Sequence, residues 1–203
     1  RNKNYRHIRL EKTFKYSSPT AFMADKKEVI DEAFPGDIIG IPDTGNFVIG
    51  DTVTEGEILH YKGIPSFSPE IFRYIENADP MKSKQLAKGI DQLMDEGVAQ
   101  LFTSSLNGRK IIGTVGALQF EVIEYRLEHE YSAKCRWETL PLYKACWIES
   151  EDQTMLDDFK KRKYNKMATD KQGRDVFLAD SGFILDMAQR DFPKIKFHFT
   201  SEF

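Results

Sequence analysis

The stretch Gly113-Thr-Val-Gly-Ala-Leu-Gln-Phe-Glu-Val-Ile-Glu-Tyr-Arg-Leu-Glu-His-Glu-Tyr131 sets two glycines ahead of a helical pattern. A loop that grips a nucleotide converges backbone N–H groups on the phosphates and adds a Lys and a Ser or Thr at fixed places. Here Gly113 and Gly116 make only G-x-x-G, no Lys opens the helix, and the string G-x-x-x-x-G-K-[ST] occurs nowhere in the 203 residues. The glycines therefore read as a sharp turn from a strand into a closely packed helix. Within that helix Phe120, Ile123 and Leu127 form one stripe, which Leu118, Val122 and Tyr125 widen.

The flanking sequence extends the pattern in both directions. Val98 to Phe102 and Lys110 to Val115 read as strands joined at Asn107-Gly108, a hairpin dipeptide. Before them, Asp79-Pro80 gives an N-cap and a proline at the first helical position, where a missing N–H does no harm. Leu86, Ala87, Ile90, Leu93 and Met94 recur on one face of that helix, and Gly97 stops it. With Ile71 to Ile75 before it and Lys134 to Trp137 after it, the order is β-α-β-β-α-β. That is the ferredoxin-like sandwich, with both helices on one sheet face.

A similar order follows Pro141. Tyr143 to Ile148 reads as a strand, and Ser150-Glu-Asp-Gln153 as a capping box opening a helix with Met155, Leu156 and Phe159. Asp175 to Ala179 is another strand, Ser181 caps a short helix with Ile184, Leu185 and Ala188, and Pro193 precedes a last strand, Ile195 to Phe199. No sequence repeat relates the two halves, so the reading is only of a further α/β layer.

The first 65 residues differ in character. Ile8-Arg-Leu10 alternates as a strand does, Pro35-Gly36 presets a turn, and Ile38 to Ile41 is an apolar run of strand length. Asp43-Thr-Gly-Asn46 reverses the chain into Phe47-Val-Ile49, giving a β-hairpin. These short strands are too few to close a barrel. Two prolines and two serines in Gly63-Ile-Pro-Ser-Phe-Ser-Pro69 mark a linker. The expected fold is α+β: a partial β-barrel over residues 1–65, then a ferredoxin-like α/β sandwich domain over 66–203.

Composition bounds the function. Apolar content of 40% and charged content of 30% suit a globular protein, and no apolar run nears the ~20 residues that cross a bilayer. The start, RNKNYRHIRLEK, has no apolar signal core, so a cytoplasmic protein without a membrane partner is expected. Cys135 and Cys146 have no metal-ligand spacing with His7, His60, His129 or His198 and read as reduced structural thiols. A formal net charge of −3 excludes a surface that attracts nucleic acid everywhere, yet leaves room for local patches. One patch gathers Lys3, Arg6, His7, Arg9, Lys12 and Lys15; a second is Lys160-Lys-Arg-Lys163 with Lys166, where cations also suit a helix C-terminus. No G-x-S-x-G or H-E-x-x-H occurs, and the acidic pairs Glu121/Glu124 and Asp157/Asp158 read as solvated helix faces.

Gly113-Thr-Val-Gly-Ala-Leu-Gln-Phe-Glu-Val122 resembles the G-x-V-G-x-L-Q-F-[DE]-V stretch of the bacterial peptide chain release factor 3 family, class II translational GTPases. Thr20-Ala-Phe-Met-Ala24, Pro35-Gly-Asp-Ile-Ile-Gly40, Ile49-Gly-Asp-Thr52, Gly63-Ile-Pro-Ser-Phe-Ser-Pro-Glu-Ile-Phe72, Asp79-Pro80, Lys84-Gln-Leu86 and Ala188-Gln-Arg-Asp-Phe-Pro193 resemble it in the same order. Elongation factor G reads more like G-x-G-E-L-H-L-E at the first of these, and a sibling factor of that or the ribosomal-protection kind is the alternative.

The resemblance implies a C-terminal part of such a factor, with barrel domain II and α/β domain III but without the G domain that holds GTP or GDP with Mg. This chain alone is then expected to carry no cofactor and to be no enzyme. The complete factor is expected to promote GTP-dependent dissociation of class I release factors from the ribosome in translation termination. Partners implied are small-subunit rRNA, a ribosomal protein and the factor's own G domain. The expected rRNA contacts are Arg6, Arg9, Lys12, Lys26 and Lys27, with Lys160, Lys161 and Arg162 as a second group.

Overall fold

The computed structural model describes residues 3–16, 18–23, 26–43, 45–61 and 67–201, with no side chain from 22 to 27. The chain divides into two compact units, residues 1–64 and 65–203. The proline- and serine-rich stretch read as a linker lies outside the described residues over 62–66.

The N-terminal unit holds two three-stranded antiparallel sheets. One is ordered β2-β1-β6, from β1 (Asn4–His7), β2 (Lys12–Lys15) and β6 (Val53–Thr54); the other is β4-β3-β5, from β3 (Thr20–Met23), β4 (Lys26–Val29) and β5 (Ile39–Gly40). The expected partial barrel is present, but two local readings change. Ile8 to Leu10 is the turn of the β1–β2 hairpin and not a strand, and Glu11 closes it at φ 52°. Ile39–Gly40 pairs with Thr20 and Ala21, and no strand forms over 47–49. That segment instead turns tightly: the Asp51 N–H donates to the Val48 carbonyl at 3.1 Å, with Gly50 at φ 92° as a type II turn requires. The Pro35-Gly36 turn is as read, its Asp37 N–H donating to the Phe34 carbonyl at 3.0 Å.

The C-terminal unit is one sheet of eight strands, ordered β10-β7-β9-β8-β12-β13-β11-β14. Its first half comprises β7 (Ile71–Asn77), α1 (Ser83–Asp95), β8 (Gln100–Ser104), β9 (Lys110–Thr114), α2 (Leu118–Tyr131) and β10 (Cys135–Leu140). Numbering these four strands in chain order gives 4-1-3-2, the ferredoxin-like arrangement. Its second half repeats the design: β11 (Lys144–Glu149), α3 (Gln153–Arg162), β12 (Met167–Asp170), β13 (Asp175–Ala179), α4 (Gly182–Asp191) and β14 (Lys196–His198), again 4-1-3-2. The strand missing from the sequence reading, β12, joins the halves. It pairs with β8 through Ala168↔Ser104, Thr169↔Thr103 and Asp170↔Phe102.

That register puts all four helices on one face. Leu101 packs under α1 and α2, Met167 packs under α3 and α4, and both share the face of the paired Thr103 and Thr169. The opposite face buries Phe72, Phe102, Ile111, Ala145, Trp147, Ala168, Val176 and Leu178 in a single cluster. No described helix covers it. The sheet curls instead, and the segment 67–70 ties β9 of the first half to β11 and the residues after β14 of the second. There the Ser68 N–H donates to the Phe199 carbonyl at 2.7 Å, the Ala145 N–H to Ser68 Oγ at 3.0 Å, and the Glu70 N–H to the Thr114 carbonyl at 2.9 Å.

Helix ends follow the expected chemistry with two shifts. Asp79 accepts from the Met81 N–H at 3.0 Å, and its proline opens a short 3-10 turn before α1. Ser181 accepts from the Ile184 N–H at 3.3 Å and caps α4. For α3 the cap is Asp152, which accepts from the Met155 N–H at 3.1 Å, while the expected Ser150 donates to the Lys194 carbonyl. On α1 the buried set is Leu86, Gly89, Ile90, Leu93 and Met94, with Ala87 exposed. On α2 only Phe120, Ile123 and Leu127 are buried; Leu118, Val122 and Tyr125 face solvent and do not widen the stripe.

The two glycines of the opening stretch have separate duties. Gly113 lies within β9, where an added Cβ would stand 2.5 Å from Pro69 Cγ and 3.1 Å from Phe102 Cε2. Gly116 has open space around it, and the turn is held by Gln119. Its Oε1 accepts from the Val115 and Gly116 N–H groups, both at 2.9 Å, and its Nε2 donates to the Val98 carbonyl at 2.8 Å. The hinge is therefore made by the glutamine of Leu118-Gln119-Phe120.

Candidate nucleic-acid interface

Asp51 organises the N-terminal cations. Its side chain is only 4% exposed and takes Arg9 Nε on one oxygen at 2.6 Å. Arg9 Nη2 and the Val48 N–H, each at 2.8 Å, and His7 Nε2 at 3.1 Å meet the other oxygen. The Leu10 N–H donates to His7 Nδ1 at 3.4 Å, so the buried ring spans the hairpin turn and the acid. Burial opposes ionisation of Asp51. The Arg9 hydrogen bond, the Val48 N–H and the neighbouring Arg9 and His7 outweigh that penalty and hold the carboxyl below the usual aspartate value. Around His7, Phe14 and Phe47 pack at ring-centroid distances of 5.9 and 5.0 Å.

This clamp sorts the residues expected to meet rRNA. Arg9 is spent on Asp51 and on the Asn46 carbonyl at 2.8 Å, and Lys3 pairs with Glu55 at 3.1 Å. Arg6 and Lys15 are different. The pairs Asn4↔Lys15 and Arg6↔Thr13 put them on one sheet face as diagonal neighbours, about 7–8 Å apart at the backbone. Neither has a carboxylate partner among the described residues. Lys12 is exposed but stands opposite His7, on the other face. Lys26 and Lys27 open β4, and their side chains lie outside the described residues. Lys15 entered the sequence reading only as one of a cluster; a period-2 count across both strands of the hairpin is the signal that joins it to Arg6.

The second cluster is more heavily neutralised. Lys160 donates to Asp175 at 2.6 Å and Arg162 to Asp158 at 3.0 Å. Lys161 and Arg162 line a groove of about 880 Å³ with Asp152, Asp157, Asp158 and Asp191. All three cations occupy the last turn of α3, where they offset its dipole.

Both cysteines are buried and free, and burial pushes each thiol up to about 12, as suits packing and not nucleophilic chemistry. Among the described residues no group of His, Cys, Asp and Glu is arranged to hold a metal, and no helix is long and apolar enough to cross a membrane.

Two partial barrel sheets precede ferredoxin-like α/β architecture, and two family models assign this arrangement to the C-terminal modules of translational GTPases. Residues 1–56 match the family model of elongation factor G domain 2. Residues 61–189 match the model described as class II release factor RF3, C-terminal domain, and the chain belongs to that family. A crystal structure from Thermus thermophilus shares the fold at a TM-score of 0.58 and 14% identity. The likeness covers 74% of this chain and 25% of that one, so the chain spans about a quarter of that protein's length.

Proposed function

We propose that the chain is the ribosome-contacting part of a class II release factor, and that its N-terminal unit lays the Arg6/Lys15 face of β1 and β2 against small-subunit rRNA. The observation that carries the rRNA contact is the register, which gathers on one face of an otherwise acidic chain two cations without carboxylate partners among the described residues. A few well-placed cations suffice, because each phosphate contact releases counterions. Family membership supports the wider reading. In the complete factor, GTP-dependent dissociation of class I release factors would end a round of termination, in the cytoplasm. GTP or GDP with Mg would be held by a G domain, whose phosphate-loop string G-x-x-x-x-G-K-[ST] does not occur in these 203 residues. The chain by itself then has no nucleotide chemistry.

The test is co-sedimentation of the purified chain with termination-state ribosomes across a salt series, beside a GTP and GDP titration. Salt-sensitive ribosome binding with no nucleotide binding is expected. Arg6→Gln with Lys15→Gln should weaken binding and reduce the salt slope by about two. Equal slopes for variant and parent would reject this face as the rRNA contact.

A further inference from the structure

We propose that the outer face of α2 docks a cationic, apolar-faced segment of another protein. This inference concerns the C-terminal unit and does not rest on the rRNA reading of Arg6 and Lys15. Leu118, Val122 and Tyr125 recur at i, i+4 and i+7 and are 71, 49 and 63% exposed. Val115, 62% exposed, extends the row into the preceding turn, and His129 stacks on Tyr125 with ring centroids 3.9 Å apart. The fold gains nothing from this row, since the buried stripe of the same helix is complete without it. An aligned apolar stripe with an aromatic at its centre is the usual composition of a protein contact.

Charge selects the occupant. Glu121, Glu124 and Glu128 recur at i, i+3 and i+7 along one flank of the stripe, and all are exposed. Glu124 takes only the neutral Trp137 indole N–H, at 3.0 Å, and Glu121 has no cationic partner among the described residues. Cations nearby are already matched: Arg126 binds Glu96 and Glu130, and Lys134 binds Glu128 at 2.9 Å. A second copy of the chain would bring two acidic rows together, and RNA would bring phosphates against them. A helix or strand with apolar residues beside Lys or Arg satisfies both the stripe and the flank.

The experiment uses the whole chain and two labelled peptides, one of leucine and lysine at helical spacing and its leucine–glutamate counterpart, read by fluorescence anisotropy. The lysine peptide should bind saturably and more weakly in high salt, and the glutamate peptide should not bind. Leu118→Ser with Tyr125→Ser leaves the net charge unchanged and should weaken binding by about tenfold or more. Glu121→Gln with Glu124→Gln should weaken it as well, with unfolding midpoints of both variants near the parent's. In the parent, amide resonances over residues 118–129 should shift on titration, a readout independent of any variant's folding. The proposal fails if either variant binds as the parent does, or if the shifted resonances lie elsewhere. It also fails if a labelled RNA hairpin itself binds the chain and shifts the same resonances, or if the parent dimerises through this face and the serine variant does not.

Discussion

Phe102 and Trp147 stand with ring centroids 6.2 Å apart, although β12 and β13 lie between their strands in the sheet. Three strand spacings would separate them by about 14 Å in a flat sheet. The curl of the sheet closes that gap, together with the lean of the indole toward Asp170, which accepts its N–H at 2.9 Å. Asp170 also takes Arg174 Nε at 2.8 Å and the N–H groups of Gln172 and Arg174, so one buried carboxylate ties the β12–β13 turn to β11.

Trp147 is 1% exposed and packs both halves of the sheet. Trp147→Ala should destabilise the C-terminal unit by about 3–5 kcal/mol. Urea unfolding followed by circular dichroism measures it. Trp147→Phe keeps most of the packing and loses the indole N–H, so it should lie between parent and alanine.

The two glycines of the opening stretch should behave oppositely. Gly113→Ala forces a Cβ to within 2.5 Å of the Pro69 ring, which cannot swing aside, and should cost about 1–3 kcal/mol. Gly116→Ala meets nothing within 4 Å and should be nearly neutral. Thermal unfolding of the two variants, side by side, decides whether the G-x-x-G pair is a hinge or a packing site plus a turn.

Gln119→Ala removes the acceptor of two N–H groups and a donor to the Val98 carbonyl, and should cost about 1–2 kcal/mol. Gln119→Glu keeps the acceptor, adds a charge that suits a helix N-terminus, and loses the donor. It should recover part of the loss, as measured by the midpoint of thermal unfolding.

Acid should loosen the N-terminal unit through Asp51. Because its folded pKa lies below the ordinary 3.8, its contribution is fully present above that pH and is lost as pH falls through the folded value. Hydrogen exchange at the Val48 amide, which donates to Asp51, should therefore lose its protection below about pH 3.8 relative to neutral pH. Asp51→Asn should cost about 1–3 kcal/mol near neutral pH and flatten that acid dependence. An unchanged acid limb in the variant would assign the effect to other carboxylates.

Much of the fold was legible because its signals are local. Asn107-Gly108, Ser181 and the stripe of Phe120, Ile123 and Leu127 act within a turn or two of chain, and the structure uses each as read, while Asp79-Pro80 caps a 3-10 turn just ahead of α1. Signals that depend on a partner element were misread. Gly89 replaces Ala87 on the buried face of α1 because Leu127 and Tyr131 of α2 approach within 3 Å of where its Cβ would be. Ile39 pairs with Ala21 and not with the nearer segment after Asn46, since the turn at 48–51 is committed to Asp51.

The amino-acid sequence by itself determined the β-α-β-β-α-β order, most helix ends and the lack of a G-x-x-x-x-G-K-[ST] phosphate loop, because capping, turn preference, periodicity and short motifs are properties of neighbouring residues. Only the tertiary structure decided that β12 would weld two such units into one curled sheet. It also decided that Arg9 would be consumed by Asp51, and that Arg6 and Lys15 would share a face. Strand register and ion pairing depend on which distant segments meet, and that choice is made by the burial of the whole chain at once.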